Sequence, residues 1–178
     1  MTAQSSGKTA LLLIDIQLGL INAPQGLHEA ETVIGRCADL LRRARASGVP
    51  VLHVQHHEEG SELERLSPDW YHHPAVAPVA GEPVVEKETS SAFVSGELDL
   101  RLKEAGVKQL VIAGLQTEYC IDTNCRVARN LGYDVILAAD AHSTYDGGGL
   151  TAAQIIAHHN RVLGSSTVTL WPAADIVF

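Results

Sequence analysis

The chain has 178 residues, of which 46% are hydrophobic and 19% are charged. This composition is typical of a globular protein and argues against an intrinsically disordered or a membrane-spanning chain. The net charge of -8, with no offsetting cluster of Lys and Arg, argues against a nucleic acid or an anionic membrane as a partner and favours a small-molecule substrate. The length predicts one domain, spanning residues 1–178, with a core that needs no disulfide or metal.

The N-terminal segment and the cysteines predict a compartment. Residues 1–8 are short and polar, without a signal-peptide core, and no apolar run approaches the roughly 20 residues of a membrane helix. The three cysteines are an odd number, which favours free thiols in a reducing environment. We therefore expect a cytoplasmic protein.

Short apolar runs alternate with amphipathic segments along the whole chain. Continuous apolar runs such as ALLLI are typical of parallel strands that are covered on both faces. Strands are predicted at 10–14, 50–55, 84–86, 110–113, 134–138 and 167–170. Helices are predicted at about 28–47, 95–105, 120–131 and 151–163. This alternation predicts an α/β fold: a doubly wound, six-stranded parallel sheet with helices on both faces. The expected strand order is 3-2-1-4-5-6, a common order of such sheets.

Three residues with chemical potential stand where predicted strands end. Asp15 follows the first strand and Lys87 the third, while Cys120 lies in the turn after the fourth strand, where a helix begins. Ligands of doubly wound sheets bind beyond the carboxyl ends of the strands. A helix N-terminus favours a thiolate, an Asp can accept the thiol proton, and a Lys can stabilise the resulting charge. The pattern predicts a cysteine nucleophile.

The motifs that carry these residues resemble the isochorismatase-like cysteine hydrolases, which include nicotinamidases and N-carbamoylsarcosine amidohydrolases. The matching segments are LLLIDIQ at 11–17, KETSSAF at 87–93, VIAGLQTEYCIDTNC at 111–125 and DAHST at 140–144. The resemblance implies a catalytic triad of Asp15, Lys87 and Cys120, and a cis peptide bond at Leu115-Gln116. It also implies an oxyanion hole formed by the backbone N–H groups of Gln116 and Cys120.

The implied reaction is the cleavage of a small amide or carbamoyl C–N bond through a thioester on Cys120, without a cofactor. The resemblance also implies a homodimer or a homotetramer, in which a neighbouring subunit could complete the pocket. Two alternatives remain open. One is the hydrolysis of a vinyl ether, the reaction of true isochorismatases. The other is a thiol-sensing protein that uses an activated Cys120 and hydrolyses nothing.

Substrate contacts and metal ligands are harder to assign from the sequence. The predicted substrate-binding residues are polar or aromatic and lie near the motifs: Gln17, Trp70, Phe93 and Tyr119. The long segment 56–83 is expected to determine specificity, since loops of this length are usually functional. Nicotinamidases carry an Asp-x-His metal motif after the second strand, which this chain lacks. His56 and His72 could serve as ligands, but the favoured interpretation is solvated loop histidines and no metal.

Overall fold

A computed structural model describes residues 8–178. Residues 1–7, in which the sequence shows no signal-peptide core, lie outside this part of the chain. The sheet has six parallel strands in the order β3-β2-β1-β4-β5-β6, which confirms the predicted topology. The strands are Lys8–Ile14 (β1), Val51–His56 (β2), Val84–Lys87 (β3), Val107–Leu115 (β4), Asp134–Ser143 (β5) and Thr169–Trp171 (β6).

Helices follow most of the strands. They are Leu18–Ile21 (α1), Ala30–Ala46 (α2), Glu97–Glu104 (α3), Asp122–Asn130 (α4) and Ala152–Ser166 (α5). A π-helical turn, Thr117–Ile121, joins β4 to α4. Short 3₁₀ turns lie at Pro74–Val76 and Ala173–Asp175. Among residues 8–178, no helix combines the length and the apolar character needed to cross a bilayer.

The central position of β1 in the sheet explains why the sequence of this strand shows no alternation of polar and apolar residues. Leu12 and Ile14 pack into one hydrophobic cluster, and Leu11 and Leu13 pack into a second cluster on the other face of the sheet. The first cluster includes residues of α3, α4 and α5, and the second includes the buried face of α2. Helices therefore cover both faces, and a strand in that position is apolar throughout.

The predicted strand 110–113 and the predicted helix 151–163 each stop just before a glycine, but both elements continue through that glycine. The strand β4 continues through Gly114 to Leu115. Gly114 has φ +129, and a Cβ there would lie 2.0 Å from the carbonyl oxygen of Ile14. The helix α5 likewise continues past Gly164, where a Cβ would lie 2.6 Å from Leu170 Cδ1. Gly114 is required because its φ is positive and the backbone of β1 lies against it, whereas at Gly164 a larger residue would displace the Leu170 side chain. Neither glycine marks an element boundary.

Candidate active site

The structure brings Asp15, Lys87 and Cys120 together at the carboxyl ends of the central strands. Asp15 follows β1, Lys87 ends β3, and Cys120 lies in the π-helical turn after β4. Lys87 Nζ lies 2.7 Å from Asp15 Oδ2 and 3.2 Å from Cys120 Sγ. The lysine therefore lies between a carboxylate and a thiol, although its strand β3 is two strands away from β1 in the sheet.

Asp15 is held in a conformation that leaves its carboxylate available. Its φ is +50, and its backbone N–H donates to the carbonyl oxygen of Val54 at 3.0 Å. The residue is 1% exposed. Within residues 8–178 neither carboxylate oxygen receives a hydrogen bond of acceptable geometry, so the contact with Lys87 is an ion pair without a well-aligned hydrogen bond. A buried carboxylate with free lone pairs is suited to accept a proton.

The surroundings of Cys120 favour the thiol, in contrast to the thiolate expected at a helix N-terminus. Burial raises the pKa of Cys120 to about 12, and the negative charge of Asp15 raises it further, while Lys87 opposes both effects. The cysteine precedes α4 and lies within the π-helical turn, so desolvation outweighs any benefit from the helix dipole. The arrangement therefore requires a base to remove the proton during attack.

Lys87 has a further partner that the sequence analysis did not foresee. Its Nζ lies 3.2 Å from Nδ1 of His56, which ends β2 and is paired in register with Lys87. Burial lowers the pKa of His56, and the charge of Lys87 lowers it further, so the imidazole is neutral. Because an ammonium group can only donate, Nδ1 accepts the hydrogen bond and the ring proton is on Nε2.

Asn124 joins the nucleophile turn to the loop that follows Lys87. Its side chain is fully buried, and its Nδ2 donates to the carbonyl oxygens of Cys120 at 2.7 Å and Ser90 at 2.9 Å. Its Oδ1 accepts the N–H of Ala92 at 2.8 Å. Asparagine has a low helix propensity, so its place inside the predicted helix was the one available signal of a special role.

A second set of contacts holds the start of the same turn. His142, which lies near the end of β5, is buried, and Nδ1 lies 2.9 Å from Thr117 Oγ1. Its Nε2 lies 3.0 Å from Oδ1 of Asn160 in α5. Burial lowers the pKa of His142 to about 4. The neutral ring therefore donates to Asn160 and accepts from Thr117, which fixes the turn to α5.

The peptide bond Leu115-Gln116 is cis, at the position that the resemblance implied. The carbonyl oxygen of Gln116 accepts the N–H groups of Tyr119 at 3.3 Å and Ile121 at 3.1 Å. The turn is thus closed by its own backbone. The predicted oxyanion hole, at the N–H groups of Gln116 and Cys120, remains a prediction.

Two of the four predicted substrate contacts make contacts that support the fold. Gln17 is fully buried, and its amide bonds the backbone N–H and C=O of His56 and the carbonyl oxygen of Trp70. Phe93 belongs to the hydrophobic core, where its ring centroid lies 6.4 Å from that of Tyr133. A substrate contact of either residue stays a prediction.

The other two predicted contacts differ in their exposure. Trp70 is buried, its ring packs edge-on against Tyr71, and its indole N–H is unpaired among the described residues. Tyr119 is adjacent to Cys120 and 55% exposed. Trp70 and Tyr119 remain predicted substrate contacts.

The two histidines considered as metal ligands have different neighbours. His56 contacts Lys87, whereas the ring of His72 packs edge-on against His53 with a centroid distance of 5.5 Å. Burial lowers the pKa of His72 to about 4, and its Nε2 has no partner within residues 8–178. His56 ends the strand β2 and His72 lies in a loop, and both are half-buried, so neither is a fully solvated loop residue. In the described part of the chain, no group of three or more His, Cys, Asp and Glu side chains is placed to hold a metal ion.

Comparisons with known proteins agree with this geometry. The Isochorismatase domain matches residues 9–162. A streptothricin hydrolase from Streptomyces noursei is 34% identical over 169 residues, which cover 94% of this chain and 60% of that protein. A ureidoacrylate amidohydrolase from Stutzerimonas stutzeri is 25% identical over 176 residues, which cover 78% of this chain and 71% of that protein.

A solved structure shows the same fold. An isochorismatase from Pseudomonas putida superposes with a TM-score of 0.91 at 29% identity, and the match covers 95% of this chain and 90% of that one. The chain spans less than two thirds of the length of the streptothricin hydrolase. The domain match covers most of the chain and includes the strand ends that carry Asp15, Lys87 and Cys120. The chain therefore belongs to the isochorismatase family of hydrolases.

Proposed function

We propose that the protein is a cysteine hydrolase that cleaves a small amide or carbamoyl C–N bond through a thioester on Cys120. The observation that carries this proposal is the position of Lys87 Nζ, 2.7 Å from Asp15 Oδ2 and 3.2 Å from Cys120 Sγ in a buried site. Acyl transfer to a cysteine needs a thiol, a carboxylate that can take its proton and a cation that stabilises the resulting charge. The names of two relatives, streptothricin hydrolase and ureidoacrylate amidohydrolase, support hydrolysis and, for the second, an amide bond.

Because the pKa of Cys120 is raised, we propose that the thiol loses its proton in the same step in which the sulfur attacks the substrate. Asp15 accepts the thiol proton as the sulfur bonds to the substrate carbonyl carbon, and the electron pair of the carbonyl moves to its oxygen. The N–H groups of Gln116 and Cys120 are proposed to stabilise that oxyanion. When the oxyanion collapses, the C–N bond breaks and Asp15 returns the proton to the leaving nitrogen.

Water completes the cycle in the second half of the reaction. Asp15 again acts as the base and removes a proton from water, which attacks the thioester carbonyl. The C–S bond breaks, the acid product leaves, and Cys120 regains its proton. Lys87 remains charged throughout and stabilises the negative charge that develops on sulfur and on the carboxylate in turn.

The thiol-sensing alternative fits the site less well. Oxidation to a sulfenic acid proceeds through the thiolate, and the pKa of Cys120, raised to about 12 by burial and by Asp15, disfavours that form at neutral pH. The three cysteines are free, which supports the cytoplasmic location that we propose. A small-molecule substrate stays a prediction. A homodimer or homotetramer stays a prediction.

The test of the proposed function is the trapping of the acyl-enzyme. The protein is incubated with a panel of primary amides, lactams and carbamoyl compounds, quenched in acid, and digested. Mass spectrometry of the peptide that contains Cys120 should show an acyl adduct with at least one compound. Turnover of a vinyl ether without any adduct would instead identify the isochorismatase reaction, and the amide proposal would be abandoned.

A further inference from the structure

We infer that His56 is a positioning residue, which orients the Lys87 ammonium group toward Cys120 by accepting one of its hydrogen bonds. This inference rests on the proposed function, in which Lys87 stabilises the charge that develops on Cys120. His56 does not contact the thiol in the structure, so its effect would pass through the lysine.

The inference starts from the surroundings of the ammonium group. Lys87 Nζ donates to Cys120 Sγ at 3.2 Å and to His56 Nδ1 at 3.2 Å, and it forms an ion pair with Asp15. An ammonium group has three equivalent N–H donors on a flexible stem, so one hydrogen bond alone would leave it free to rotate. A neutral acceptor on one side orients the remaining N–H donors, and it adds no negative charge that would draw the ammonium group away from Cys120.

The backbone places His56 where this contact is enforced. His56 and Lys87 are register partners at the ends of β2 and β3. The side-chain alternation of β2 directs His56 to the same face as Leu52 and Val54, whose cluster also packs against Cys120. The imidazole and the thiol therefore lie on one face of the sheet, with the lysine in contact with both.

Gln17 fixes the peptide groups of His56 as well. The side-chain amide of Gln17 accepts the N–H of His56 at 2.9 Å through Oε1 and donates to its carbonyl oxygen at 2.9 Å through Nε2. Gln17 is two residues after Asp15, so the same short segment supplies the carboxylate and holds the strand that carries His56. Asp15, Gln17, His56 and Lys87 thus form a connected buried network around Cys120.

The test compares two substitutions of nearly equal shape. His56→Leu removes the acceptor, whereas His56→Asn retains an acceptor at the δ position. The measurement is the rate at which iodoacetamide alkylates Cys120 at pH 8.5, followed by peptide mass spectrometry. We expect the rate to fall about tenfold in His56→Leu, as for a shift of one pKa unit, and by no more than about threefold in His56→Asn. Equal rates in the two variants would overturn the inference.

The control is His57→Leu, at the next position. The His57 ring lies near Arg65 and Glu88, and its side chain makes no contact with Lys87 among the described residues. The alkylation rate of Cys120 should be unchanged in this variant. An equal fall in the alkylation rate in His57→Leu and His56→Leu would show that a loosening of the segment after β2 causes the slower alkylation. That result would also overturn the inference.

A second measurement does not depend on the reactivity of the thiol. The ¹⁵N NMR shifts of the His56 ring report its tautomer, and the proton should be on Nε2 with Nδ1 unprotonated. A proton on Nδ1 would overturn the inference because that nitrogen could not then accept from Lys87. Alkylation and NMR need no substrate, so a protein that hydrolyses no amide would count against the proposed function while leaving the role of His56 measurable.

Discussion

Cys37, which is buried, and Cys120, which is half-buried, have similar thiol pKa values but entirely different surroundings. Cys37, in α2, lies in the hydrophobic cluster on one face of the sheet, and its thiol donates to the carbonyl oxygen of Ala141 at 3.4 Å. Burial raises the pKa of Cys37 to about 12, with a smaller contribution from Asp140. The pKa of Cys120 is also raised to about 12, by burial and then by Asp15.

The difference between the two thiols is the cation. Lys87 lies 3.2 Å from Cys120 Sγ and is paired with Asp15, whereas the pKa of Cys37 is affected only by burial and a carboxylate. A perturbed pKa therefore does not identify the nucleophile in this protein. What distinguishes Cys120 is an arrangement that can take up its proton and stabilise the charge left behind.

The largest expected effect comes from exchanging the two thiols for alanine. Cys120→Ala should reduce hydrolysis by at least about a thousandfold, because no other group can form the thioester. Cys37→Ala should retain the rate and lose about 1 kcal/mol of unfolding free energy, since it removes a small buried group. Both are measured with an amide that the wild-type protein hydrolyses, together with urea denaturation. Hydrolysis that survives in Cys120→Ala would make the two cysteines equivalent and the proposal wrong.

The next effect tests the charges that set Cys120 apart. Lys87→Met leaves the Asp15 carboxylate buried without a counter-charge, which should cost about 3–5 kcal/mol of unfolding free energy. The double variant Asp15→Asn, Lys87→Met should recover much of that loss, because it leaves no buried charge. Urea denaturation of the two single variants and the double variant gives the coupling free energy directly. A double variant no more stable than Lys87→Met would contradict a coupled pair.

Asn124→Ala should have an intermediate effect. It removes hydrogen bonds to Cys120, Ser90 and Ala92 and leaves these buried backbone groups unpaired, at a cost of about 1–3 kcal/mol in total. The expected result is a less stable protein with slower hydrolysis, measured by urea denaturation and initial rates. The control, Asn130→Ala, changes an exposed asparagine at the end of α4 and should stay within about 0.5 kcal/mol. Equal losses in the two variants would show that Asn124 does not anchor the turn.

The last expected effect is absent at neutral pH and appears on acidification, when buried histidines make the stability depend on pH. The pKa of His142 is about 4 because of burial, below its ordinary value of 6.5, so the unfolded chain binds more protons at mildly acidic pH. Its contribution to stability is complete above pH 6.5 and is lost as the pH falls toward 4. Between pH 7 and pH 5 the loss should be about 2 kcal/mol for one such group.

His142→Asn tests this assignment by urea denaturation at the two pH values. The variant should show a smaller difference in unfolding free energy than the wild-type protein, since one buried histidine no longer titrates. His72, whose pKa is also about 4, should supply a separate and similar dependence. An unchanged difference in His142→Asn would mean that other groups cause the acid sensitivity.

Much of the fold was predictable because parallel strands that are buried on both faces must be apolar throughout. The run at β1 and its counterparts indicated strands, and their alternation with helices indicated a parallel sheet, whose observed strand order is a common one for doubly wound folds. The boundaries at Gly114 and Gly164 were not predictable. Each glycine lies against another element, Gly114 against the backbone of Ile14 and Gly164 against the side chain of Leu170, and such contacts leave no trace in the local sequence.

The sequence by itself determined that an acid, a lysine and a cysteine follow three strands of one sheet, since the motifs specify both the residues and the strands before them. Only the tertiary structure decided which groups surround them. The side chain of Gln17 bonds the backbone of His56, and the β2–β3 register brings His56 into contact with Lys87. Burial raises the pKa of the Cys120 thiol. Desolvation and charge pairing depend on distances between residues far apart in the chain, and folding alone sets those distances.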